Sequence, residues 1–431
     1  MRYLLFLAFF PRLLFAQSYI SYFTGDTADV QPIPTPGVCM MGGATENDHA
    51  MRWFLQRANG GDVLVIRASG ADGYNDYLFS ELGLSVNSVE TIVMPNAAAA
   101  LDPYVAQQIR NAEALWIAGG DQTRYANYWK DKPVEDALRY LIHEKKAVIG
   151  GTSAGMAILG EAYFRAANGT ITSAEALADP FDPKMDIGAS DFLDHPLLQR
   201  TITDTHYDNP NRRGRHLAFI ARLTQQTGQR YRGIACEEYT AVCVDTSGIA
   251  RVFGGDNAQD FAWFLHVNCP TPFEPEVCSP GTPLHWVRDS MALKVLRVKG
   301  TSNGIHTFDL NDWHTHSGGV WEDWWCENGV LKTATADEHF SGCLSSTGEN
   351  FRQEGFRVFP NPSGDGVQVV LPDQPDHYRV LLCDLQGNTL TQTKGQAGAA
   401  LRIEAESLPR GVYFLVVQGS KGAAVRQVVL E

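Results

Sequence analysis

Long apolar runs are scarce in this sequence. No internal stretch reaches the ~18–20 unbroken apolar residues of a membrane helix. Positive charge is scarce too. Thirty-five Lys and Arg stand against 49 Asp and Glu, a net charge of −14. That balance argues against nucleic acid as the main partner, because phosphate binding needs a basic face. There is no Cys-x-x-Cys pair and no Cys/His cluster at zinc spacing, so the pattern calls for no structural zinc and no cofactor. What is present is 44% hydrophobic residues in a chain of 431. That is enough to bury a full core, and the length predicts about three domains, or two with a tag.

The first residues read as an address. Arg2 precedes the apolar run Leu4–Phe10. Pro11-Arg12 interrupts it, and Leu13-Leu14-Phe15-Ala16 follows. A small residue before Gln17 predicts a signal peptide over 1–16, cleaved after Ala16. In an oxidising compartment, the eight cysteines fit a few disulfides, with Cys269/Cys278 and Cys326/Cys343 closely spaced. Connectivity stays open, and Cys39, Cys236, Cys243 and Cys383 could each be buried thiols.

Residues 38–256 alternate short apolar runs with helical periodicity. Asp62–Arg67, Val89–Met94, Leu115–Ala118 and Ala147–Gly150 read as strands. Asn47–Asn59, Tyr104–Asn111 and Val134–Lys145 read as helices between them. The alternation predicts an α/β fold with a doubly wound, mostly parallel sheet. Ligands of such sheets sit at strand carboxyl ends, where Gly119-Gly120-Asp121-Gln122 and Gly150–Gly155 make glycine-rich turns. A Trp- and Cys-rich extension, 257–335, completes a catalytic domain spanning 17–335. Its tryptophans read as a packed edge. Residues 336–354 read as a linker. Beyond them, 355–431 holds short strands at about ten-residue spacing, a small all-β sandwich.

Gly151-Thr-Ser-Ala-Gly155 fits the Gly-x-Ser-x-Gly pattern of a nucleophile elbow, with a strand before it and a helix expected over 154–164. Small flanking residues let the chain bend sharply and hold the Ser153 hydroxyl out. A serine needs a base, and His206 in the run Thr201–Tyr207 is the best placed of twelve histidines. His314 and His316 alternate on one strand and would suit a metal only with a third ligand, and none lies nearby.

Four motifs then carry a resemblance. Gly119-Gly120-Asp-Gln122, Gly150-Gly-Thr-Ser-Ala-Gly155, Asp204-Thr-His206-Tyr207 and Gly233-Ile-Ala-Cys-Glu-Glu238-Tyr-Thr-Ala241 resemble, in that order, the cyanophycinase and peptidase E family of serine peptidases. Met41-Gly-Gly43 is similar to the family's opening turn. The resemblance implies a class I glutamine-amidotransferase-like fold and a serine–histidine mechanism on acidic or isopeptide bonds. It implies Ser153 as nucleophile and His206 as base. Ala154, Gly120 and Asp121 would supply oxyanion donors, and Gln122, Asp204, Arg212 and Arg215 would meet the substrate. Three spaced arginines follow the histidine in cyanophycinases. Here Pro210 stands where the first belongs, which departs from that specificity. For the acid that holds the imidazole, Glu175 is the expectation, since it lies between nucleophile and base. Glu161, on the helix after the elbow, is expected to face solvent or a neighbouring chain.

A second resemblance covers the chain end. Phe359-Pro-Asn-Pro362, Asp384-Leu-Gln-Gly387 and Leu408 through Gly411-Val-Tyr-Phe-Leu415 resemble the C-terminal sorting domain of the type IX secretion system of Bacteroidetes. It implies a secreted or surface protein and the secretion machinery as a partner. The sequence thus predicts a secreted serine peptidase taking a peptide or isopeptide with acidic or basic groups. A homodimer is compatible with it. An α/β-hydrolase-type esterase and a non-catalytic binding protein on a peptidase scaffold are the alternatives.

Overall fold

The computed structural model describes residues 17–257, 259–336, 356–359, 366–371, 377–384, 389–405, 408–419 and 422–430. The expected signal peptide, most of the expected linker, the Pro-Asn-Pro turn and Cys343 lie outside them. The chain divides into two compact units. One runs to Val267 and resumes at Pro272; the other joins Asn268–Thr271 to the C-terminal strands.

The first unit begins with β1 (Ile20–Gly25), β2 (Gly37–Met41), α1 (Asp48–Gln56), β3 (Asp62–Arg67), β4 (Ser88–Val93), α2 (Pro103–Asn111), β5 (Ala114–Ile117), α3 (Gln122–Trp129), α4 (Pro133–Tyr140) and β6 (Val148–Thr152). The strands form where β-branched and aliphatic residues run together, as in Val63-Leu-Val-Ile66, which is buried on both faces. Helices start at built caps. Asn47 accepts from His49 N–H and Ala50 N–H, and Asp102 accepts from Tyr104 N–H ahead of Pro103.

It continues with α5 (Ala154–Ala157), β7 (Ala162–Phe164), α6 (Ser173–Ala178), β8 (Ile187–Ala189), β9 (Thr201–Asp204), α7 (Arg213–Thr227), β10 (Arg232–Cys236), β11 (Ala241–Asp245), β12 (Ile249–Phe253), β13 (Phe261–Val267), β14 (Leu293–Lys299), β15 (Thr307–Asp309), β16 (His316–Ser317), β17 (Val320–Glu327) and β18 (Val330–Thr335). Two sheets result. The first has ten strands in the order β1-β4-β3-β5-β6-β2-β11-β12-β15-β16. Its middle strands β4, β3, β5, β6 and β2 are parallel, and both flanks are antiparallel. The mixed, mostly parallel α/β core is as expected. The second sheet, β18-β17-β14-β13-β10-β9-β7-β8, is parallel only at β10/β9 and β9/β7.

Several local expectations change. The helix after the elbow stops at Ala157, and Ala162–Phe164 is a strand. At Gly160 a Cβ would lie 2.5 Å from Thr201 O, so the chain there is pressed against the start of β9. Glu161 is accordingly buried, accepting from Ser190 Oγ at 2.8 Å and Arg200 N–H at 2.7 Å, and does not face solvent. The aromatic extension is interior. Trp286, Trp313, Trp321 and Trp324 are all buried. His314 and His316 are not paired ligands. His316 accepts from Trp321 Nε1 and bonds Gly318 O, while His314 sits in the preceding turn. Cys269 is disulfide-bonded, whereas Cys278 and Cys326 are free thiols, which breaks the pairing suggested by spacing. Cys39, Cys236, Cys243 and Cys383 are buried free thiols.

The second unit stacks a sheet of β19 (Arg357–Phe359), β20 (Gly366–Val370) and β23 (Ala400–Glu404) on one of β21 (His377–Cys383), β22 (Thr389–Gln396), β24 (Gly411–Gly419) and β25 (Gly422–Leu430). Val367, Val369, Val380, Leu382, Leu415 and Val417 share one core, the alternating inward faces of a sandwich. No helix among the described residues is long and apolar enough to cross a membrane.

Candidate active site

The site lies in the first unit, where the carboxyl ends of β6, β9 and β10 converge. Each supplies one side chain from its first loop residues. Ser153 follows β6 directly, with φ 52° and ψ −117°. That is a strained conformation for a residue with a Cβ, and it turns the hydroxyl out of the strand line. The elbow glycine is a packing requirement. A Cβ on Gly155 would overlap Ile117 O on β5. Ser153 N–H bonds Met41 O at 3.0 Å, which ties the elbow to the end of β2.

His206 follows β9, also at positive φ (45°). Its N–H donates to Gly42 O at 2.9 Å, and its ring lies against Gly43, where a Cβ would collide with the imidazole. So the Gly42-Gly43 turn after β2 is a floor for the histidine. His206 Nε2 stands 2.8 Å from Ser153 Oγ. On the far side of the ring, Nδ1 stands 2.7 Å from Glu238 Oε1. Glu238 follows β10, and its N–H donates to Asp208 Oδ1 at 3.1 Å. The serine, imidazole and carboxylate thus form one line of hydrogen bonds. The His206 and Glu238 side chains keep only 23% and 20% exposure, so the line is shielded but reachable.

The carboxylate beside the imidazole is therefore Glu238, not Glu175. Glu175 closes a capping box with Thr172 at the start of α6 and pairs with Lys184 Nζ at 2.7 Å. The bonds from Lys184, then Thr172, hold its carboxyl down to about 2. Those partners account for its oxygens at a helix start rather than at an imidazole. The neighbour of Glu238 shows why one carboxylate reaches the site. The chain leaves β10 at Cys236 and turns at 238–239, so the two adjacent carboxylates part company. Glu237 turns inward and accepts from Phe261 N–H at 2.9 Å and Trp263 Nε1 at 3.1 Å, and burial raises its carboxyl.

The expected substrate residues divide. Arg215 and Asp204 are buried together, with side chains 5% and 4% exposed. Arg215 Nε donates to Asp204 Oδ2 at 2.9 Å, Nη2 to Oδ1 at 2.5 Å, and Nη1 to Thr170 Oγ1 and Ile171 O. The guanidinium also stacks near Phe164 and Phe219. Burial pushes the Asp204 carboxyl up, but Arg215, with His216 and Arg212, outweighs it and holds the group below the ordinary value. This pair is a buried pillar beside the histidine loop, its charged atoms bonded inside the protein. Arg212 Nη1 donates to Thr205 O at 2.9 Å, bracing the peptide just before His206. Gln122 is half-buried at the start of α3, behind Asp121, which caps that helix through Thr123 N–H. Gly119 comes alongside Ser153, where a Cβ would lie 3.6 Å from the serine Cβ. Tyr125 Oη fixes that turn through Ala118 O and Gly119 O at 2.8 and 3.1 Å. Ala154 is buried immediately after the serine.

Residues 68–252 match Peptidase family S51. All three members of the hydrogen-bonded line fall inside that span. Residues 357–431 match the secretion system C-terminal sorting domain, which marks the chain for type IX secretion to the cell surface or beyond. A cyanophycinase of Synechococcus elongatus is 26% identical over 209 residues, 47% of this chain and 59% of that one. One of Trichormus variabilis is 24% identical over 245 residues, 54% of this chain and 76% of that one. The match thus spans just under three fifths of the first relative's length. A solved peptidase from an acI-B1 Actinobacterium is 12% identical, with a TM-score of 0.38, over 52% of this chain and 90% of that one. A putative peptidase E protein from Listeria monocytogenes EGD-e is 13% identical, with a TM-score of 0.33, over 52% of this chain and all of that one.

Proposed function

We propose that this protein is an exported serine peptidase that hydrolyses an amide or isopeptide bond next to an aspartyl group. The carrying observation is the line Ser153 Oγ–His206 Nε2–His206 Nδ1–Glu238 Oε1, at 2.8 and 2.7 Å. In the first step the Ser153 Oγ–H proton passes to His206 Nε2 as the Oγ–carbonyl carbon bond forms. Glu238 holds the ring with Nδ1 protonated and stabilises the imidazolium. Backbone N–H groups of Ala154 and of the Gly119–Asp121 turn are the oxyanion donors. The C–N bond then breaks as His206 returns the proton to the leaving amine. Water, deprotonated by the same histidine, releases the acyl group from Ser153.

The Asp-directed part of this reading rests on the likeness to cyanophycinases, and Pro210 and the buried Arg215 set it apart from cyanophycin itself. The test is hydrolysis by the full chain of β-Asp-Arg polymer, β-aspartyl dipeptides and α-linked Asp-x peptides, with S153A as the blank. Cleavage of an acidic dipeptide that vanishes in S153A is the expected result. Equal turnover by S153A, or turnover of simple esters alone, would overturn it.

A further inference from the structure

Of the two arginines expected to read the substrate, Arg215 is committed to Asp204 and Arg212 braces Thr205 O, which leaves the question of what else meets an acidic group beside Ser153. Arg67 ends β3, two strands from β6 in the order β3-β5-β6. At ~4.8 Å per strand, its Cα is about 10 Å across the sheet from that of β6. The levels match. Ala118 N–H bonds Ile66 O at 3.1 Å, and Ile117 lies opposite Gly151. Arg67 therefore stands at the same carboxyl edge of the sheet as the elbow, with β5 and the Gly119 turn between them.

Its guanidinium is held in place by the loop that follows. Nε donates to Ser69 O at 2.5 Å and Nη1 to Ala71 O at 3.1 Å. Gly70, at φ 106°, makes the room, since a Cβ there would overlap the guanidinium. The ring of Tyr74 lies 6.0 Å away. Tyr74 is bonded to Glu46, in the loop after Gly43, and Tyr125 is bonded to the Gly119 turn. Both tyrosines lie within the field of the Arg67 charge. Arg67 thus neighbours Tyr74, whose hydroxyl reaches the loop after Gly43. Among the described residues no carboxylate pairs with it, whereas nearby Arg124 and Arg165 pair with Asp121 and Asp186. Nη2 and one Nη1 hydrogen have no described partner. An anchored guanidinium with donors to spare, at the crevice of an acidic protein, is a carboxylate receptor.

We propose that Arg67 is the specificity residue that takes a carboxylate on the acyl part of the substrate, in place of Arg215. The proposal rests on the peptidase reading above. The experiment compares kcat/KM of the full chain for a β-aspartyl dipeptide and its α-carboxamide twin, and for matched α-linked Asp-x and Asn-x peptides. Wild type should prefer the free acid by about 10- to 100-fold. R67Q should flatten that preference mainly through KM, with fluorophosphonate labelling of Ser153 unchanged. R67K keeps the charge and loses the two loop bonds, so it should retain part of the preference. A preference undiminished in R67Q overturns the inference alone, as does equal loss in R67K and R67Q, which would mean a bracing role. A wild-type protein that labels at Ser153 yet cleaves no acidic peptide overturns the peptidase reading, and this inference with it.

Discussion

Two acid–base pairs sit under the same loop and have opposite fates. Asp204 and Arg215 are sealed from water, with nearly every donor and acceptor matched inside the protein. Glu238 and His206 are one fifth exposed, and the outer nitrogen of the histidine is spent on a serine hydroxyl. The first pair lies on relaxed strand and helix. The second is joined to residues at φ 52° and 45°. A buried, satisfied ion pair gives a loop its shape, while a partly open pair next to strained backbone has a proton to move. Charge clustered along the chain, as in Arg212-Arg213-Gly-Arg215, marked the pillar. The carboxylate beside His206 came from another strand.

That contrast can be broken by mutation. The largest effect belongs to Glu238. E238Q keeps the volume but loses the charge that stabilises the imidazolium, and should lower kcat about 10²- to 10⁴-fold, while E175Q stays near wild type. Steady-state kinetics on whichever acidic dipeptide is cleaved checks both. Next is D204A, which strands the Arg215 guanidinium in the interior and should cost about 3–5 kcal/mol of stability, read by denaturant titration. E238Q should leave that titration almost unmoved. The smallest effect is one of pH. Burial lowers His195 and His216 to about 4 and His266 to about 3, from 6.5. The unfolded chain then binds protons that the folded chain refuses. Stability present above pH 6.5 should therefore decline as pH falls toward 4. Asp204 adds to the loss only below its ordinary 3.8, since its folded value lies lower still. A melting temperature flat between those limits would contradict the assignment.

Much of this was legible in the sequence, and the exceptions have physical causes. β3 to β6 could be read because buried parallel strands are continuous β-branched runs between glycine-rich turns. Ser153 and His206 could be read because an elbow demands small neighbours and a base must follow on its own strand. The second sheet was legible only in part. Thr201–Tyr207 read as strand-like, but β7 and β8 are only three residues long each, and Tyr163-Phe164 sits equally well in a helical pattern. Glu175 was preferred for its place between serine and histidine in the chain. The structure instead delivers Glu238 through the β9/β10 pairing, Ile234 opposite Thr203. The one sequence signal for it was a carboxylate just past a strand end, inside a motif already singled out. Arg215 misled because its helix, α7, is buried along most of its length, which the charged start of that helix does not announce.

Everything proposed for the site depends on Ser153 being a nucleophile made reactive by His206 and Glu238. The most direct measurement needs no known substrate: the second-order rate of fluorophosphonate labelling of the full chain, with the modified peptide mapped by mass spectrometry. The expected result is a label on Ser153, absent in S153A and far slower in H206A and E238Q, with E175Q as fast as wild type. A chain that does not label at Ser153, or that labels there as fast in E238Q as in wild type, would contradict it.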